Sequence, residues 1–193
     1  SFGRDGEDHL PWTLIPSVDS NNKDDICFQE ASFCCVTAQT SLSATNAKDF
    51  LEKAVDFCNT TLLGTLNCCL IAHPDTVKAL GPYLEDAIAD LKYGSVVINH
   101  WPALSYGLGC TTWGAYPGHT YDDIQSGIGV VHNSYLFDKP EKSVIFGPFR
   151  IFPKPPWFIT HRSSDKMAKY LTEFEADPSP FRLPGVLWNA LKS

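Results

Sequence analysis

Between Asn46 and Asn99 the chain alternates two hydrophobic periods, and this alternation restricts the fold more than any other feature. Thr45 and Asn46 carry side chains that cap helix N-termini. After them Phe50, Leu51, Ala54, Val55 and Cys58 recur at helical spacing, with Lys48, Glu52, Lys53 and Asp56 on the opposite face. Gly64 closes that segment, residues 65–73 (TLNCCLIAH) read as a buried strand, and Pro74 with Asp75 opens a second helix through Val77, Leu80, Leu84, Ile88 and Leu91. Pro82 removes a backbone donor inside this helix, which predicts a kink or two short helices, and Gly94 suits the left-handed residue that ends it. The branched run SVVIN, residues 95–99, is the next strand.

Residues 26–39 are apolar and partly alternating and read as a strand before the first helix. Strand, helix, strand, helix, strand in this order requires parallel neighbours joined by crossovers. The predicted class is therefore α/β, an open parallel sheet with flanking helices, followed by a helical C-terminal tail. Three segments are expected. Residues 1–25 are an irregular N-terminal segment with a short edge strand at 10–15, between Pro11 and Pro16; residues 26–140 form the α/β domain; residues 141–193 hold a strand at 143–152 and a C-terminal extension. In that extension Met167, Tyr170, Leu171 and Phe174 predict a helix over 163–175, and residues 186–191 a last short one.

Residues 100–129 have no sustained period and are rich in glycine and aromatic side chains. A loop of this length in a compact domain is usually functional, and ligands of open α/β sheets sit beyond the carboxyl ends of strands, where this loop begins. It is the candidate site region. Composition narrows the partners: a net charge of -7 without a run of like charges argues against nucleic acid, and no apolar stretch approaches the ~20 residues that span a bilayer. A cytoplasmic protein is expected. The seven cysteines show no C-x-x-C spacing, sit mostly in apolar runs and read as small buried hydrophobes. The six histidines are dispersed, so no metal site is expected.

Several stretches, in order, resemble the end of the aldehyde dehydrogenase catalytic domain. E-A-S-F-C-C-V (residues 30–36) resembles the family's E-E-x-F-G-P-V segment, which contacts the nicotinamide ribose region. In that alignment Phe33 keeps the cofactor-binding aromatic, Ala31 stands in place of the ribose-binding glutamate, and Cys34 and Cys35 replace Gly-Pro. Loss of that glutamate removes an acceptor for ribose hydroxyls, a matter of about 1–3 kcal/mol. Residues 54–66 resemble A-N-x-x-x-Y-G-L, with Asn59 and Gly64 at matching places, and L-K-Y-G-S-V-V-I-N (91–99) resembles the strand that ends at the substrate entrance. T-W-G-A-Y-P-G (112–118) resembles the turn whose aromatic borders the aldehyde pocket, with Trp113 at that place; S-G-I-G (126–129) resembles the stretch that closes it. E-K-S-V (141–144) resembles the terminal strand by which subunits of the family pair.

The resemblance implies the C-terminal part of an NAD- or NADP-dependent oxidoreductase. Trp113 would border the aldehyde pocket, homo-oligomers would form through residues 143–152, and Trp101 and Tyr106 in the same loop either line that pocket or serve packing. Thioester chemistry also needs a thiolate, a base and a dinucleotide fold, and no cysteine here has the family's nucleophile context, so no catalytic residue is assigned and the chain is expected to be inactive in isolation. Two alternatives stand beside this reading. One is a noncatalytic dimerisation or interaction module with no cofactor. The other is a cysteine hydrolase centred on Cys110, which requires a histidine within hydrogen-bond reach of its sulfur.

Overall fold

The computed structural model describes residue 6 and residues 10–158 and 160–192; the rest of the expected irregular segment, residues 1–5 and 7–9, lies outside the described residues. The chain divides into two compact units, Ser1–Gly147 and Pro148–Ser193. Among the described residues there are seven α-helices and three small sheets, so the molecule is mixed α/β.

The first unit opens with a two-stranded parallel sheet of β1 (Thr13–Val18) and β2 (Val36–Thr40). The edge strand expected at 10–15 thus lies a few residues later. Pro16, which cannot donate to a ladder, falls where the register shifts between Ile15 and Val18. The strand expected over 26–39 is corrected to a short helix, α1 (Ile26–Gln29), followed by β2 alone. Two physical causes act here. The Asp25 carboxylate accepts from the Cys27 amide at 2.9 Å and starts the helix, and Phe28 is buried edge-on against Phe57, ring centroids 5.2 Å apart.

Helix α2 (Ala47–Thr60) is capped by Asn46, whose side chain accepts from the Asp49 amide at 3.0 Å. It buries Leu51 and Phe57 and packs Val55 and Cys58 on the core, whereas Phe50, expected on the same stripe, is exposed. Strand β3 (Asn67–Leu70) leads to α3 (Pro74–Leu80) and α4 (Pro82–Asp90), so Pro82 divides the predicted helix in two, with Gly81 at φ +52 between them. Strand β4 (Ser95–Ile98) is buried along its whole length. Parallel neighbours flank it, β3 on one side and β7 (Ser143–Phe146) on the other, in the order β3-β4-β7. The core clusters on one face of this sheet: Leu51, Leu80, Leu84, Ile88, Leu91, Tyr93, Val96 and Ile98.

Two sequence expectations are revised at the sheet. The strand expected over 143–152 runs only from Ser143 to Phe146 and pairs within the chain. It stops where the Gly147 amide bonds to the Ile98 carbonyl at 2.8 Å and its α-carbon lies so near His100 that a Cβ would meet that side chain at 2.8 Å. Gly94 is not the left-handed end of a helix, since α4 ends on the extended Leu91 and Gly94 has no positive φ. Its role is close approach.

In the second unit α6 (Ser164–Ala176) meets α7 (Leu183–Leu191) after a 3-10 turn at Pro180–Arg182. The two helices come together at Gly185, where a Cβ would stand 2.7 Å from the Tyr170 ring. Arg182 ties the turn to α6, donating to the Glu173 carbonyl at 3.1 Å and pairing with Asp177 at 2.9 Å. No helix among the described residues is long and apolar enough to cross a membrane.

Candidate functional site

The candidate site is built on the loop that leaves the carboxyl end of β4. Asn99 sits there at φ +60, a conformation asparagine tolerates better than most side chains, and its Oδ1 accepts from the Ala72 amide at 2.8 Å. This bond holds the exits of β3 and β4 together. The loop then turns through α5 (Leu104–Gly107) and pairs β5 (Trp113–Gly114) antiparallel with β6 (Val130–Val131). It does not stay beyond the carboxyl ends as the sequence implied. It folds back to the amino ends, where a Cβ on Gly94 would lie 1.8 Å from the Gly114 carbonyl oxygen and the Tyr116 amide bonds to the Thr65 carbonyl at 3.0 Å.

Hydroxyl groups fasten this return. Ser95 and Ser105, both fully buried, hydrogen-bond to each other, which pins α5 to the start of β4. Thr111 donates to the Ser105 carbonyl at 2.5 Å. Ser143 donates to the Thr112 carbonyl at 2.9 Å, so its hydroxyl oxygen accepts from Thr112 Oγ1 at 2.6 Å. Thr65 is a second anchor: its amide donates to Ser126 Oγ at 2.8 Å, and its hydroxyl lies 2.7 Å from His119 Nε2. The hydroxyl–imidazole pair has the reach of a nucleophile and base, but every other polar group of Thr65 is also committed to holding the loop, and the clamp role follows from that. These serines and threonines were missed from sequence because a hydroxyl at a strand start, as at Ser95 and Ser143, or in an aperiodic loop carries no hydrophobic pattern.

Of the four expected site residues, the structure brings two together. Tyr106 and Trp113 meet edge-on with ring centroids 5.7 Å apart, and His132 stacks on Tyr106 at 4.6 Å. His132 is held at φ +61, and its buried Nδ1 has no hydrogen-bond partner. An unsatisfied ring nitrogen of this kind costs on the order of 1–3 kcal/mol. Trp101 is 49% exposed at the start of the loop and Tyr106 is 54% exposed, so the aromatic group is an open surface rather than a closed tunnel. Phe33 is 98% exposed at φ +44 and belongs to the turn between α1 and β2, not to this cluster.

The cysteines are corrected as well. None is buried: Cys34, Cys69 and Cys110 are exposed, the other four are half-buried, and all seven are free thiols. Cys68 and Cys69 face opposite sides of β3; Cys68 packs on the core, and Cys69 donates to the His100 carbonyl at 3.1 Å. Desolvation, reinforced by the neighbouring Cys58 and Cys69 thiols, pushes the Cys68 thiol up to about 12. Iodoacetamide at pH 8 is expected to label Cys34 and Cys110 in the folded protein and Cys68 only after denaturation, as read by peptide mass spectrometry. Labelling of native Cys68 at the rate of Cys110 would contradict this. No histidine hydrogen-bonds Cys110 among the described residues, so the requirement set for a cysteine hydrolase is not met. No group of three or more His, Cys, Asp or Glu side chains among the described residues is arranged to hold a metal ion.

The stretches singled out by sequence are mutually bonded in space. Asn59 accepts from the Lys92 amide and donates to the Asp90 carbonyl, both at 2.8 Å, Thr65 bonds Ser126, Gly94 abuts Gly114, Thr112 bonds Ser143, and Lys142 donates to Leu91. Comparison with protein-family models, with curated proteins and with solved structures found no match.

Proposed function

We propose that this chain is the C-terminal part of an aldehyde dehydrogenase-like, NAD- or NADP-dependent oxidoreductase. Its contribution is one wall of the aldehyde pocket, formed by Tyr106 and Trp113 with Trp101 at the loop entrance. The nucleophile, the base and the dinucleotide domain act from outside these residues. The observation that supports the reading is the convergence just described, because the five stretches from Asn59 to Val144 that carry the resemblance meet around one three-stranded sheet. An apolar wall of half-exposed aromatic rings suits the alkyl or aryl part of an aldehyde, whose burial drives binding without hydrogen bonds. Phe33, and with it cofactor contact through this chain, has weaker support, since Ala31 offers no ribose acceptor.

The chain is titrated with NAD by calorimetry, assayed for aldehyde-dependent NADH formation, and titrated with a medium-chain aliphatic amide. The amide keeps a polarised carbonyl and forms no Schiff base with lysines. Expected are no NADH, no NAD heat, and a saturable tryptophan fluorescence change with the amide that weakens at least about tenfold in Trp113→Ala. Turnover by the chain alone would overturn the division of labour, and an amide response that Trp113→Ala leaves intact would remove the pocket.

A second reading, a noncatalytic module that dimerises, is favoured by one feature. β7 is an edge strand whose Val144 and Phe146 are exposed. Sedimentation that shows dimers broken by Val144→Lys, with no amide response, selects it.

A further inference from the structure

The second unit carries a charge balance opposite to the rest of the chain: residues 148–193 contain seven Lys and Arg against four Asp and Glu, in a protein of net charge -7. Part of that excess is gathered around one cavity of about 330 Å³, lined by Arg162, Ser163, Lys166, Asn189 and Lys192. The volume is at the lower end of small-molecule sites. Three of the five lining side chains are cations and none is an acid. Arg162 and Lys166, like Lys78, Lys92 and Lys169 elsewhere, have neither an ion-pair partner nor a hydrogen-bond acceptor for their side chains among the described residues, and these two line the same cavity. Lys192 lies over the Trp188 ring at 4.9 Å.

Two backbone and side-chain arrangements shape this cavity. Ser163, at the N-cap of the 13-residue helix α6, gives its hydroxyl to the Asn189 carbonyl at 2.7 Å and makes no cap bond, so the first-turn amides of α6 have no side-chain acceptor. A helix start left open in this way favours an anion through its amides and its dipole. His161 holds the geometry: its Nδ1 accepts from the Ser163 amide at 3.2 Å, and its Nε2 lies 3.4 Å from the Ala190 carbonyl. Independently, Asn189 is only 5% exposed yet lines the cavity. Its Nδ2 donates to the Gly185 carbonyl at 2.8 Å, and its Oδ1 accepts from no described group.

We propose that this cavity binds a phosphate group, either free or as a phosphate monoester. Arg162 supplies a planar fork that matches two phosphate oxygens, and Lys166 and Lys192 supply compact charge. The start of α6 reaches the cavity through Ser163 and Lys166, where the helix dipole favours a third oxygen, and the Asp165 carboxylate of the same turn does not line it. The Asn189 carbonyl oxygen accepts from the protonated phosphate oxygen, which distinguishes phosphate from sulfate, an ion of similar shape that carries no proton at neutral pH. The site is independent of the aldehyde pocket and of the oxidoreductase reading.

The whole chain is titrated calorimetrically with inorganic phosphate and with sulfate at about 0.1 M salt, where the exposed charges are only partly screened. Saturable phosphate binding with a Kd of about 1 mM or tighter is expected, with weaker sulfate binding and at least a tenfold loss in Arg162→Gln/Lys166→Gln. Both side chains are exposed, so the double variant keeps its fold, which circular dichroism checks. Sedimentation with vesicles of phosphatidylcholine containing phosphatidic acid separates the two sources of the group. Pelleting that the double variant loses assigns a lipid headgroup; saturable phosphate binding without pelleting assigns a soluble ligand. Absence of both responses, or binding undiminished in the double variant, overturns the site, and equal affinity for sulfate overturns the role of Asn189.

Discussion

Gly94→Ala is expected to destabilise the first unit by about 3–5 kcal/mol, the combined cost of overpacking and of the hydrogen bonds lost around it. A methyl group at this position would stand 1.8 Å from the Gly114 carbonyl oxygen, 2.8 Å from its carbonyl carbon and 2.9 Å from the Ala115 carbonyl carbon. All three are backbone atoms, so no side chain can rotate away and the two chain segments must separate. Separation pulls on the Thr65 carbonyl, which accepts from both the Gly94 amide at 2.9 Å and the Tyr116 amide at 3.0 Å. The Thr112–Ser143 hydroxyl pair is strained with them. Because Gly94 does not occupy a positive φ, its loss tests close approach alone, without a conformational penalty. Urea unfolding reads the effect as a lowered midpoint at unchanged slope. Gly107→Ala in the same loop is the control, since nothing lies within 4 Å of a Cβ there and it should change little. A Gly94→Ala shift below about 1 kcal/mol would mean that the loop is not seated on the sheet as described.

The second large effect is at Lys142. Its side chain is almost fully buried, and Nζ donates to the carbonyls of Ile88 at 3.0 Å, Ala89 at 2.6 Å and Leu91 at 2.7 Å. These are carbonyls at the C-terminal end of α4, where intrahelical donors run out and the helix dipole is negative. One ammonium group satisfies all three. Glu141 at 3.4 Å and the Tyr116 ring at 5.3 Å add favourable charge around it. Lys142→Met keeps the length of the apolar stem but removes every donor, and is expected to cost about 3 kcal/mol, the range for a buried charge interaction broken from one side. Lys48→Met, whose i,i+4 pair with Glu52 is exposed at 3.7 Å and whose Nζ lies 3.6 Å from the centroid of the exposed Tyr83 ring, should change stability by no more than about 1 kcal/mol. The contrast should persist in 0.5 M salt, because a buried group is poorly screened. Equal, small effects of the two substitutions would show that water replaces the Lys142 donors.

Elements set by local chemistry were legible in the sequence. The Asn46 cap of α2, the division of α3 from α4 at Pro82 and the branched strand at 95–98 depend on a side chain and its near neighbours. What was misread depends on partners distant in sequence. Residues 26–29 contain β-prone apolar residues, yet the Phe28–Phe57 contact and the Asp25 cap make them helical. At Gly94 a glycine after a helix satisfies two demands equally well, a left-handed turn or a close neighbour, and only the position of Gly114 decides between them. Lys142 bonds to residues more than fifty positions away, which no local pattern encodes. In the candidate site, the Tyr106–Trp113 contact lies within a region the sequence marked by composition. His132 was not marked, since its significance lies in a strained backbone and an unpartnered nitrogen.

The order of strands in the main sheet also has a temporal side. β3 and β4 are paired between positions twenty-eight residues apart, while β4 and β7 are paired between positions forty-eight residues apart, with the whole candidate loop in between. Closing the shorter segment costs less chain entropy, and it carries with it α3 and α4, which lie between the two strands. Until Ser143 returns, the N–H and C=O groups on that side of β4 have no ladder partner. Ser105 is bonded to Ser95 and Thr112 to Ser143, so the candidate loop is fastened to the first residues of both β4 and β7 and is fully seated only when the last strand is in place.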